Sequence, residues 1–204
     1  MIPAHIENHT NRDVYGRPGE FEKDGALCYL IRVIKRRRVR SSSKGKLIQE
    51  RIEAMDTRKK IRIGVIGGSR PRKKFLHSAF EIGKLIAGRR AILVCGGLGG
   101  IMEAAARGAK QAGGLTIGIL PGNNPSDANP YIDVPIATGL GYTRNSLVAM
   151  NADVLIAIDG EFGTLSEIAY GRIYGKKVIG LGTWDIEGVV PAASTEEAIE
   201  LAFR

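Results

Sequence analysis

Residues 139–167 read GLGYTRNSLVAMNADVLIAIDGEFGTLSE. Arg144-Asn145 lies in a helical stretch predicted over 143–151. The apolar run at 153–158 (DVLIAI) is continuous rather than alternating, as in a strand buried on both faces. It feeds a Gly-x-x-Gly-Thr turn, Gly160 to Thr164, where a second helix over 162–174 begins. Helix, buried strand, glycine turn and helix in succession point to a parallel α/β sheet. The same stretch brings together a cation (Arg144), a carboxylate (Glu167, expected in the first turn of its helix) and free backbone N–H groups. That combination suits an anionic ligand.

The alternation continues in both directions. Upstream, 61–66 (IRIGVI) is a β-branched run ending in Gly67-Gly68-Ser69, and 73–88 has apolar residues at helical spacing. The strand 91–95 (AILVC) meets Gly96-Gly97-Leu98-Gly99-Gly100, and the Ala-rich helix 101–112 follows. Strands are predicted at 115–120 and 132–137, and the last one at 177–181. Ser194 and Glu197 form a capping-box pattern at the start of a final helix. The expected fold is a doubly wound, Rossmann-like parallel sheet over 61–204, whose glycine loops all lie at the carboxyl edge, where such sheets bind ligands.

The composition is that of a globular protein, with 44% hydrophobic and 25% charged residues. No apolar stretch reaches the roughly 18 residues of a membrane span, and the polar start of the chain lacks a signal peptide's apolar segment. Cys28 and Cys95 are far apart with no metal spacing, and Cys95 reads as a small buried hydrophobe. These features lead us to expect a cytoplasmic protein without membrane association. The formal charge is +9. Residues 1–60 hold 15 Lys+Arg against 8 Asp+Glu, a net of +7, whereas 61–204 hold 15 against 13, a net of +2. The basicity therefore belongs to an N-terminal extension, read as exposed and mobile, and nucleic-acid binding through it is the weaker expectation. Met55, just before the first strand, would also serve as the start of a shorter product carrying the whole domain.

Candidate ligand-binding residues follow from the loops. Gly67, Gly68 and Ser69 fit the floor of a nucleoside pocket or a plain turn. Gly96, Gly97, Gly99 and Gly100 allow close approach of a ligand to a helix N-terminus. Gly160, Gly163 and Thr164 suit a phosphate seat, and Thr164 also suits an N-cap. Glu167, three residues on, fits a capping box with Thr164 or a catalytic carboxylate. Arg144 fits a bidentate phosphate or ribose clamp, with Asn145 beside it. His5, His9 and His77 have no partner at a telling spacing, so no metal site is expected.

Three motifs, GGLGGIMEAAARGA (96–109), TGLGYTRN (138–145) and GTLSEIA (163–169), resemble the "lonely guy" (LOG)-like superfamily, formerly called lysine-decarboxylase-like. That superfamily includes phosphoribohydrolases of nucleoside 5'-monophosphates, molybdenum-cofactor carriers, and nucleotide-binding proteins related to DNA-processing protein A. The resemblance covers roughly 61–183. It implies a catalytic arginine at Arg144, a glutamate at Glu167 and a phosphate turn at Gly160, Gly163 and Thr164. It also implies a homo-oligomer, dimer or tetramer. The hydrolases usually carry Pro-Gly-Gly-x-Gly-Thr and Arg-Lys; here Asp159-Gly160-Glu161-Phe162-Gly163-Thr164 and Arg144-Asn145 are closer to the branch of molybdenum-cofactor carriers and uncharacterised proteins related to DNA-processing protein A. The resemblance thus implies a binder of a small phosphorylated ligand, a nucleotide or molybdopterin, with no further cofactor required. N-glycosidic hydrolysis to base and ribose 5-phosphate and non-catalytic carriage of the molybdenum cofactor are the two activities it offers.

Overall fold

The computed structural model describes residues 60–204, so the reading of the basic extension lies outside the described residues. Seven parallel strands form one sheet in the order β4-β3-β2-β1-β5-β6-β7. They are β1 (Arg62–Gly67), β2 (Ile92–Cys95), β3 (Leu115–Leu120), β4 (Val134–Ala137), β5 (Val154–Ile158), β6 (Lys177–Leu181) and β7 (Val189–Pro191). Five α-helices accompany them: α1 (Lys73–Gly88), α2 (Ile101–Gln111), α3 (Asn145–Asn151), α4 (Phe162–Ile173) and α5 (Thr195–Ala202). The doubly wound, Rossmann-like reading is the observed architecture.

Pleating sorts the apolar runs onto two faces. Ile63, Val65, Leu93, Ile156 and Ile179 pack under α1, α2 and α5. Ile66, Val94, Leu155, Ala157 and Val178 pack under α3 and α4. Both faces are covered, which is why the strands read as continuous hydrophobic runs. The strand order reverses direction between β1 and β5, which pair over Ile63–Val154 to Gly67–Ile158. A crevice forms where connections leave such a switch point in opposite directions.

Four details differ from the sequence reading. β7 was not anticipated: three residues ending in proline, on the sheet's edge, give little strand signal. The fourth strand begins at Val134, because Asp133 is drawn into side-chain bonds with the Thr116 N–H and hydroxyl. Residues 141–144 form a 3-10 turn before α3. α4 starts at Phe162 with Glu161 at the cap position, so Thr164 lies inside the first turn and is no N-cap. Glu167 is consequently in the second turn. The cap of α5 is as read: Ser194 Oγ accepts from the Glu197 N–H at 3.1 Å.

The closest helix contact joins α1 to α2. A Cβ on Gly83 would lie 2.0 Å from the Ala105 carbonyl oxygen, and one on Gly108 would lie 1.9 Å from the Phe80 carbonyl oxygen. Backbone cannot yield as a flexible side chain can, so the overpacking cost of about 1–3 kcal/mol outweighs the gain of up to about 1 kcal/mol in helix propensity. Gly108→Ala is expected to lower the urea midpoint. Gly88→Ala, whose Cβ would meet nothing within 4 Å, is expected to hold or raise it.

Candidate functional site

Beyond the carboxyl ends of β1 and β5 lies a cavity of about 500 Å³. Gly67, Gly68 and Ser69 contribute from the loop after β1, Tyr142, Arg144 and Asn145 from the turn before α3, and Glu161 through Thr164 with Ser166 and Glu167 from α4. Leu98 and Met102 complete the wall.

Arg144 and Glu167 meet at its base, with Arg144 Nη1 donating to Glu167 Oε1 at 3.4 Å. Both side chains are buried, at 8% and 6% exposure. Burial pushes the Glu167 carboxyl up to about 8, with the nearby guanidinium opposing the rise. Burial likewise pulls the Arg144 guanidinium down from its ordinary range, and Glu167 opposes that fall. Burial thus works against the charged form of each group, and each partner's charge works to keep the other ionised. Arg144 Nη2 also donates to the Gly96 carbonyl at 3.4 Å, while its Nε is buried without an acceptor among the described residues.

Asn145 joins the two helices. Its amide donates to Ser166 Oγ at 2.8 Å and to the Gly163 carbonyl at 3.3 Å, and Ser166 Oγ donates to that same carbonyl at 2.7 Å. These bonds fix the N-terminal turn of α4, whose first N–H groups have no intrahelical partner. Across the crevice, the Arg72 backbone N–H and guanidinium donate to the Asp159 carboxylate at 2.7–3.0 Å. Burial pushes that carboxyl up, but the Arg72 hydrogen bonds more than offset it and leave it lowered. This contact holds Asp159 at a φ of 52° and ties the β1 loop to the β5 loop.

The glycines divide by what a side chain would meet. A Cβ on Gly96 would strike the Arg144 guanidinium at 2.4 Å, one on Gly97 the Leu120 side chain, and one on Gly100 the backbone at Gly68 and Ser69. Gly96, Gly97, Gly99 and Gly100 do not line the cavity; the first makes room for the arginine that does. Gly160, at a φ of 116°, clears Thr164. At Gly68 and Gly163, by contrast, no atom lies nearer than 3.9 Å to an added Cβ, and both line the cavity. Their missing side chains leave space in the cavity itself.

The Thr164–Glu167 capping box is absent, because Glu167 turns inward to Arg144 instead. Cys95 is fully buried, and burial pushes its thiol up to about 12, so it is an inert packing residue. Ser166, Tyr142 and Phe162 were missed as lining residues; the spacing of Gly163 and Ser166 on one helical face was the available signal for Ser166.

The sequence matches the SLOG cluster4 family over residues 60–202, and the chain belongs to that family. An uncharacterized protein of Archaeoglobus fulgidus is 41% identical over 142 residues, covering 69% of this chain and 93% of its own. The structure of the molybdenum cofactor binding protein from the phototrophic bacterium Rippkaea orientalis is similar, with a TM-score of 0.67 and 39% identity. That match covers 70% of this chain and 95% of the other. The molybdenum cofactor carrier protein of Chlamydomonas reinhardtii matches with a TM-score of 0.65 and 37% identity, over 70% and 96% of the two chains. Within the described residues no helix is long and apolar enough to cross a membrane.

The raised Glu167 carboxyl has a consequence for stability. The native state keeps a proton that the unfolded chain, titrating near 4.5, releases. Stability from this group is therefore full below pH 4.5 and is lost as pH rises towards about 8. Urea denaturation across that window should show a decline in the wild type that is flattened in Glu167→Gln.

Proposed function

We propose that this SLOG cluster4 protein holds a small phosphorylated heterocycle, of the molybdenum-cofactor (phosphorylated pterin) kind, in the cavity between β1 and β5 without cleaving it. The observation that carries the reading is the placement of the Arg144 guanidinium in the cavity wall beside the first turn of α4, with open space at Gly68 and Gly163. A guanidinium beside the free N–H groups of a helix start is suited to a phosphate. The space left at Gly68 and Gly163 lets such a group approach the backbone N–H groups.

The departures from the hydrolase motif at Glu161 and Asn145 favour holding over hydrolysis. Cleavage of an N-glycosidic bond passes through an oxocarbenium-like centre that an ionised carboxylate would stabilise. Burial disfavours the ionised form of Glu167 at that position. The two similar carrier and binding proteins lend the same reading support.

The predicted role of each residue follows from this geometry. Arg144 and the N–H groups of Gly163 and Thr164 hold the phosphate, and Asn145 with Ser166 keeps that turn in place. Gly67, Gly68 and Ser69 form the opposite wall.

Two measurements test the proposal. Protein incubated with AMP, GMP, CMP and UMP should release no free base. Protein purified from a cofactor-producing host should carry molybdenum and pterin in equimolar amounts. Arg144→Ala should weaken retention about 100-fold, the scale expected when a buried charge-paired contact is truncated, with Arg144→Lys recovering part of it. Base release that disappears in both Arg144→Ala and Glu167→Gln would instead establish the hydrolase.

A further inference from the structure

Outside the phosphate seat, the cavity carries three groups to which the proposed function assigns no role. Glu161 occupies the cap position of α4 by its backbone, yet its side chain makes no capping bond. Among the described residues its carboxylate takes part in no hydrogen bond or ion pair. Phe162 is 79% exposed and Tyr142 is 88% exposed, although both line the cavity. Phe162 is held from behind by Trp184, with ring centroids 6.0 Å apart, and Trp184 Nε1 donates to the Glu161 carbonyl at 3.4 Å. The cavity rim, or lip, therefore carries a carboxylate unpaired among the described residues, on a backbone anchored by Trp184, and two aromatic rings that are largely open to solvent.

Resting on the reading of the cavity as a phosphate-ligand site, we infer that this lip selects the ligand's ring. Glu161 accepts hydrogen bonds from a ring N–H and its adjacent exocyclic amino group, the edge shared by guanine and pterins, while Phe162 and Tyr142 stack on the ring face. An ionised carboxylate offers two acceptor oxygens and no donor, so it pairs with adjacent donors and with no ring edge that presents an acceptor there. Adenine presents a ring acceptor next to its amino group and fails this test. Exposed aromatic faces beside a cavity are suited to stacking a flat heterocycle. A carboxylate next to a phosphate site would repel the ligand if it faced the phosphate; at the lip it contributes selectivity for the ring. The anionic end and the ring end of the ligand are thereby bound by groups of opposite charge, Arg144 at the base and Glu161 at the lip.

The experiment is isothermal titration of the full chain with ribose 5-phosphate, GMP, IMP and AMP. IMP lacks the amino group, and AMP has an amino group with a ring acceptor instead of a ring N–H beside it. GMP should bind at least about tenfold more tightly than AMP, with IMP between them, as expected for a two-bond edge contact. In Glu161→Gln that preference should shrink to within about twofold, while ribose 5-phosphate binding is retained. Phe162→Ala should weaken GMP, IMP and AMP together and leave ribose 5-phosphate unchanged, a split that a merely structural defect would not produce. Ribose 5-phosphate binding with no preference among the three nucleotides would overturn the inference and leave the phosphate site standing. Failure of all four to bind would overturn both.

Discussion

The buried pair of Arg144 and Glu167 organises this protein's carboxyl edge. The two residues come from elements on either side of β5, and their meeting requires several local choices elsewhere. Gly96 has to be a glycine because the guanidinium occupies the place of its side chain. Asn145 and Ser166 hold the Gly163 carbonyl so that α4 presents its first turn to the same cavity. Two charges this deep would ordinarily cost more in desolvation than they recover in attraction. Here burial shifts the Glu167 carboxyl upward, towards its neutral form, while the Arg144 guanidinium opposes that shift.

The fold was legible because a sheet covered on both faces leaves a strong mark. Runs such as IRIGVI and DVLIAI are apolar throughout, and each is followed by glycines where the chain turns over the sheet edge. β7 left no such mark, since three residues ending in proline at an edge need neither burial nor alternation. The site was legible in its residue types and less so in their geometry. The Thr-x-x-Glu spacing at 164–167 is equally good as a capping box and as two inward-facing residues one helical turn apart. Only the position of Glu161 at the helix start decides between these, and that depends on the tertiary path of the loop held by Arg72 and Asp159.

The glycine loops give the same lesson. Sequence alone treats GGLGG at 96–100 as a ligand cradle, whereas three of its glycines answer to neighbouring protein atoms. Gly68 and Gly163, which stand in less conspicuous surroundings, are the ones with open space beside them. Distinguishing a glycine that avoids the protein from one that leaves room for a ligand requires knowing what a Cβ would touch. Glu161, which departs from the hydrolase form of this turn, lines the cavity together with the exposed rings of Phe162 and Tyr142.

The most direct measurement of the central claim is a crystal structure of the protein soaked with GMP. The account predicts phosphate oxygens within hydrogen-bond distance of the Gly163 and Thr164 N–H groups and of the Arg144 guanidinium, with an intact glycosidic bond. Phosphate density at the exposed cations of residues 70–74 with the cavity empty, or ribose 5-phosphate and free guanine in place of GMP, would contradict it.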